Sequence, residues 1–355
     1  MIRVEDYDFI PMDLILDEIF PKLPVKSMAR FRCVSKQCRS MPIRPRLLFS
    51  LKRDNGEFLI FSSPQPQQKP YEKSLVVYAD FHTRISTDVH PYSYFRGLAS
   101  RLIYFYFSPK PLICNPITGE YASLPELDRY RNWDSFLGFD SIDKQFKVLS
   151  VGYPYSDDRD KHRIMTLKTG KMTWRKIKCR LTHKPLGTEG ICINGVLYYF
   201  LEAYRIVCFY VRSEVFKFVD ANCFRVPQST KLINYKGKLC GVELTYDDDD
   251  AVVLTMWVLE NVDKQEWSKY VYTFPESEVF VYDVFVVGMT GAGEIVLSGR
   301  FTSKPFYVFY FNPERNTLQA VEVRGVGEYS EAFESDCRVH AFVDYEVDSK
   351  LEIIT

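Results

Sequence analysis

The sequence is short of the features that mark membrane, secreted and metal-dependent proteins. No run of about eighteen apolar residues occurs in its 355 positions, and the opening MIRVEDYD is too acidic for a secretory leader. A membrane partner is therefore not expected. Its 9 cysteines (33, 38, 114, 179, 192, 208, 223, 240, 337) are odd in number and form no CxxC pair, and no N-x-Ser/Thr acceptor is present. Both absences point to a reducing compartment, cytoplasmic or nuclear. Charge is balanced at 46 basic against 46 acidic residues, so there is no basic field to draw nucleic acid.

Catalytic and metal signatures are equally sparse. The five histidines (82, 90, 162, 183, 340) share no HxxH or HExxH spacing, which leaves zinc chemistry without support. There is no GxSxG. The glycine-rich VGMTGAGE around Gly288 to Gly293 lacks the Lys-Ser/Thr of a phosphate loop and reads as a turn between strands. The run Asp247 to Asp250 lacks the ligand spacing and glycine of a calcium loop, so it reads as a solvated tip. Arg175, Lys176, Lys178 and Arg180 beside Trp174 read as the wet side of a strand, and Cys33 and Cys38 as small buried apolar residues. No catalytic residue, metal ligand or cofactor is expected.

What the chain does have is one helical stretch and a long β body. In Ile10 to Ser40, Leu16, Ile19, Phe20 and Leu23 follow a 3.6-residue period, with Asp13 placed as a cap and Asp17 and Glu18 in the first turns. Pro24 breaks that helix, and Met28, Phe31 and Val34 resume the apolar pattern. So short a helical piece cannot bury its own surface; it needs the β body or another protein.

From Arg46 the period changes to two. Leu47 to Phe49 and Phe58 to Phe61 flank the turn Asp54-Asn55-Gly56, and SSPQPQQKP (62 to 70) is a polar loop. Beyond about residue 96 the chain repeats itself, with large residues at Tyr121, Trp174, Phe216, Trp267 and Leu318 closing units of about fifty residues. Second hairpins lie between them, with Asn194-Gly195 and Lys236-Gly237 as turns. Four strands per unit over residues 46 to 355 predict a kelch-like β-propeller of about six blades. The last strand, Ala341 to Glu346, is placed to pair with the first blade and close the ring. An unclosed β-sandwich is the structural alternative.

Residue strings add a resemblance. Ile10-Pro11, Asp13-Leu14-Ile15-Leu16, Ile19-Phe20, Leu23-Pro24 and RFRCVSK (30 to 36) resemble the F-box of the large plant F-box family. ICNPITGEY, FLGFDSIDKQFKVLSV, GICINGVLYY and VCFYVRSEVFKF resemble the F-box-associated domain of the same family. The resemblance implies two domains, an F-box at 1–41 and an associated propeller-like domain at 46–355. It implies that the F-box docks on a Skp-type adaptor, and through it a cullin scaffold, while the β domain recruits an unknown protein substrate to an SCF-type ubiquitin ligase without catalysis of its own. Adaptor contacts carried over from the family are Pro11, Leu14, Leu16, Ile19, Leu23, Pro24 and Val34; the substrate-binding residues stay unknown. The sequence departs from the family at Cys38, where a Trp is usual, and after Ser40, where Pro42 and Pro45 stop the helix and the F-box is shortened. Loss of one such aromatic removes ~3–5 kcal/mol of packing. The alternatives are a vestigial F-box on a stand-alone binding propeller, or a decayed family member.

Overall fold

A computed structural model describes residues 15, 19, 23, 25–39, 45–66, 75–86, 94–106, 111–127, 133–152, 162–167, 172–181, 183–202, 204–246, 251–274 and 283–346. The run Asp247 to Asp250 and residues 67–70 of the polar Pro/Gln loop lie outside them, and Ser62 to Pro64, read from the sequence as loop, end a strand. Among the described residues, two short α-helices come first, α1 (Val25–Arg32) and α2 (Lys36–Arg39). None of the described helices is long and apolar enough to cross a membrane.

The rest is a six-bladed propeller. Blade 1 holds β1 (Arg46–Lys52), β2 (Phe58–Pro64) and β3 (Leu75–Ile85), and blade 2 holds β4 (Tyr94–Ala99), β5 (Leu102–Tyr106), β6 (Leu112–Cys114) and β7 (Tyr121–Ser123). Blade 3 is built from β8 (Trp133–Asp140), β9 (Gln145–Gly152), β10 (His162–Thr166) and β11 (Arg175–Lys176). Blade 4 follows with β12 (Ile191–Ile193), β13 (Val196–Leu201), β14 (Arg205–Tyr210) and β15 (Val215–Asp220). Blade 5 runs through β16 (Lys231–Tyr235), β17 (Lys238–Tyr246), β18 (Val252–Asn261) and β19 (Glu266–Phe274). Blade 6 comprises β20 (Val284–Met289), β21 (Ile295–Gly299), β22 (Tyr307–Asn312) and β23 (Thr317–Val326). A 3-10 turn (Ser330–Glu334) then leads into β24 (Arg338–Tyr345).

Within each blade the strands pair antiparallel in chain order. Ile193↔Val196 and Tyr235↔Lys238 close two-residue hairpins at Asn194-Gly195 and Lys236-Gly237, all four residues with positive φ as the tight mirror-image turn requires. Tyr121, Phe216, Trp267 and Leu318 fall on the fourth strand of their blades, and Trp174 stands one residue before its own. The propeller reading therefore holds over the sandwich.

The ring closes twice. β24 pairs antiparallel with β1 from Arg46↔Tyr345 to Lys52↔Arg338, so the last strand completes the first blade. The outer strands of blades 1 and 6 also pair, parallel, from Val321↔Leu75 to Val326↔Asp80, which fuses the two blades into one eight-stranded sheet. Only the first closure is visible in the sequence. Buried Arg46 ties the start of β1 to its neighbours, donating from Nε to Ser62 Oγ (2.8 Å) and from Nη2 to Asp80 Oδ2 (2.7 Å).

Among the described residues the buried apolar side chains gather into six extended clusters, one between each pair of adjacent blades. Alternate residues of each strand supply the two faces of a blade, so each cluster is fed from both sides. The cluster between blades 6 and 1 is capped by Phe333 from the 3-10 turn. The turn needs Gly325: a Cβ there would come within 2.7 Å of the Ser330 carbonyl oxygen and 2.8 Å of its Cα. Because both are backbone atoms, Gly325→Ala is expected to cost ~1–3 kcal/mol, read as a lower urea midpoint with unchanged slope.

Candidate functional sites: a helical foot and an axial charged cluster

The helical segment packs on the seam between blades 1 and 2. Met28 and Cys38 are buried in the cluster formed there by Leu48, Phe58, Ile60, Phe95 and Phe105, with Ile15, Leu23 and Phe31 against it. Cys38, standing where an aromatic was expected, is thus a small packing residue against the propeller. Cys33 is exposed, contrary to the expectation of burial, because it falls in the turn after α1. Of the predicted adaptor contacts, Val34 is 74% exposed and Ile19 38%, while Leu23 is half-buried against the propeller. Pro11, Leu14, Leu16 and Pro24 lie outside the described residues.

The second site is at the axis. The first strands of blades 2 to 6, together with β24 in blade 1, form the inner ring. Near Gly97 the ring is pinched, because β4 approaches the residue before β12 from across the axis; a Cβ on Gly97 would sit 3.0 Å from the Gly190 carbonyl oxygen, and its φ of 137° favours glycine. At this level five blades contribute polar side chains from the beginnings of their inner strands.

Arg96 and Asp134 form the buried part, 8% and 3% exposed. Arg96 Nη2 lies 2.6 Å from Asp134 Oδ1, and its Nη1 donates to the Gly187 carbonyl at 2.8 Å. Above them Glu189 pairs with Lys231, and His340 Nδ1 lies 3.8 Å from the other Glu189 oxygen. The His340 ring stacks on Phe95 with centroids 4.9 Å apart. Burial by itself would raise the Glu189 pKa, but the Lys231 ammonium and then His340 outweigh it, so the carboxyl is held well below the usual range and stays ionised. The cluster presents fixed charges of both signs, mostly buried but reaching solvent at Glu189 and Lys231, on a low-dielectric floor.

The axial cluster and the point where the chain from the helices joins the ring lie at opposite ends of the inner strands. Arg96, Asp134, Lys231 and His340 stand near the beginnings of inner strands, and Glu189 just precedes one. β1 starts beside Tyr345, where β24 ends, so the chain coming from the helices enters the ring at the other end. The β4–β5 turn is at that end too, with Tyr345 Oη donating to the Arg101 carbonyl at 3.1 Å.

Comparison with known proteins then places the chain. The sequence model of the F-box associated beta propeller domain matches residues 46–346. The chain is 49% identical to F-box protein At3g57590 of Arabidopsis thaliana, over 96% of this chain and 91% of that one. It belongs to the plant F-box proteins with an F-box-associated propeller. Two further Arabidopsis thaliana family members, F-box protein At1g47340 and F-box protein At2g15640, are each 44% identical; they align over 94% and 92% of this chain and 80% and 91% of their own. The three alignments run to 374, 375 and 397 positions, longer than the 355 residues of this F-box protein, so its relatives carry segments that it lacks.

None of the five axial residues stood out in the sequence. Each is a lone charge or imidazole beside an apolar strand, a pattern with no spacing rule, and only the radial repeat brings them together.

Proposed function

We propose that this F-box protein is the substrate-recruiting subunit of an SCF-type ubiquitin ligase. Residues 10–38 dock on a Skp-type adaptor, and the axial end of the propeller holds a protein substrate. The observation that supports this most is that the chain from the helices joins the ring at the end opposite the axial cluster. The exposed Val34 and Ile19 belong to the segment that joins the ring at one end, and the charged axial cluster opens at the other. An adaptor seated on the helices would leave the axial end free.

The chain's contribution in this reading is proximity. A bound substrate lysine is held near a ubiquitin thioester carried by a partner, which raises effective concentration without chemistry by the propeller itself. Paired charges of both signs suit a substrate surface that itself carries both, since each new contact replaces a pairing rather than leaving a charge uncompensated. The site of action is cytoplasmic or nuclear.

A second reading has its own observation. Met28 and Cys38 are buried against blades 1 and 2, so part of the helical apolar surface is already satisfied within the chain, as in a vestigial F-box. One binding experiment separates the two. The full chain is mixed with a purified Skp-type adaptor beside Val34→Asp and Leu16→Asp variants. Val34→Asp, at an exposed position, is expected to leave the melting temperature unchanged and to weaken binding by roughly 10–100-fold. No binding by the folded wild type would establish the vestigial reading.

A further inference from the structure

Blades 3 and 4 meet around a group of side chains that neither the axial cluster nor the helical foot uses. His162 opens β10, Cys179 and His183 lie on the extended connection between β11 and β12, and Tyr199 stands in the middle of β13. Both histidines are buried and Cys179 is half-buried. The sequence spacing of these residues matches no metal motif; the fold brings them together by laying the β11–β12 connection over β10.

Their geometry is that of a ligand set. The two histidine Nε2 atoms lie 3.4 Å apart. Two nitrogens each about 2.0–2.1 Å from a tetrahedral cation are separated by about 3.3 Å. His183 Nδ1 lies 3.1 Å from the Leu181 carbonyl oxygen and Nε2 lies 2.8 Å from the Tyr199 hydroxyl. With the proton on Nδ1 donated to Leu181, Nε2 keeps its single lone pair, which accepts from Tyr199 and would leave that hydroxyl for a cation held with His162. A backbone carbonyl orienting the far nitrogen is the usual support of a metal-binding imidazole. One ligand atom from each of His162, Cys179 and His183 lies within 4.8 Å of the others, and the Cys179 sulfur is 3.9 Å from His183 Nδ1. The Cys179 sulfur lies 3.2 Å from the Leu181 carbonyl oxygen, and ligation would require that contact to be exchanged for the cation.

The surroundings favour the neutral imidazoles that bind metals. Phe216 packs edge-on to His162 at 5.3 Å, and Phe218 to His183 at 5.6 Å. Burial pulls the His183 pKa down to about 4, so it is uncharged at neutral pH. Burial also raises the Cys179 thiol, and a bound cation would reverse that shift by its own charge, releasing the thiol proton to solvent.

We propose that His162, Cys179 and His183 form a site for a borderline-soft divalent cation, Zn2+ by preference, that clamps the β11–β12 connection onto blades 3 and 4. Two imidazoles and a thiolate select Zn2+ over Mg2+ or Ca2+, which take oxygen ligands. The Tyr199 hydroxyl, 2.8 Å from His183 Nε2, borders the site.

The test uses the full chain, stripped with chelator and titrated with Co2+ and then Zn2+. The expected result is one equivalent of Co2+ giving a thiolate-to-cobalt charge-transfer band, displaced by Zn2+, with a melting temperature that rises with Zn2+ concentration. Cys179→Ser, at a half-exposed position, is expected to fold, to lose the band and to weaken Zn2+ binding by roughly 100-fold; His162→Gln should weaken it likewise. Absence of stoichiometric uptake by the wild type would overturn the proposal. So would an undiminished band in Cys179→Ser, which would place the metal on other cysteines.

Discussion

Replacing Phe333 with alanine is expected to remove ~3–5 kcal/mol of stability, the cost of truncating a buried aromatic. Phe333 is 2% exposed and meets three rings: Phe49 at 5.6 Å, Phe61 at 5.0 Å and Phe306 at 5.8 Å. Two of these belong to blade 1, and Phe306 stands just before the third strand of blade 6. The truncation would thus open a cavity at the seam where the ring closes. That seam is held by β24 on β1 and by β23 beside β3, and each pairing joins strands far apart in the chain. Thermal unfolding followed by circular dichroism should show a drop of roughly 5–15 °C. Phe333→Leu keeps most of the volume and should recover more than half of it. A loss below about 1 kcal/mol for the alanine variant would mean that the 3-10 turn does not pack as described.

The second large effect is expected at the axis. Asp134→Ala removes the carboxylate that balances the buried Arg96 guanidinium and should cost ~3–5 kcal/mol, as when one partner of a buried ion pair is lost. The double variant Arg96→Met with Asp134→Leu removes both charges and should regain most of that loss, because apolar residues of similar volume replace a pair whose desolvation already offsets its attraction. Chemical denaturation of the wild type, Arg96→Met, Asp134→Leu and the double variant forms a closed cycle. If the double variant were as unstable as the single aspartate variants, packing rather than charge would dominate the site. The double variant should also lose substrate capture while keeping adaptor binding, since the helical foot is untouched.

Much of the blade structure was legible because hairpins are local. Asp54-Asn55-Gly56, Asn194-Gly195 and Lys236-Gly237 turned where expected, and the large residues from Tyr121 to Leu318 marked the outer edges of five blades. The closing strand was placed nearly correctly, as β24 begins at Arg338 rather than Ala341. The parallel pairing of β3 with β23 was not legible, because it joins residues some 250 positions apart with no turn between them. Nor were the axial charges or the His162–Cys179–His183 group, for the same reason: their partners are chosen by how blades are arranged around an axis, and a linear pattern of period two is silent on that. At the helical foot the sequence predicted an apolar stripe but not how it is divided. Met28 and Cys38 turn to the propeller and Val34 to solvent, a choice made by the blade 1–2 seam.

The separation of the two surfaces is tested most directly by hydrogen–deuterium exchange of the full chain with and without a Skp-type adaptor. Slowed exchange confined to residues 10–38 and the adjoining start of β1, with Phe95, Arg96 and residues 187–189 unchanged, is the expected result. Slowed exchange at the axial residues on adaptor binding would contradict it, since the adaptor would then occupy the end reserved here for substrate.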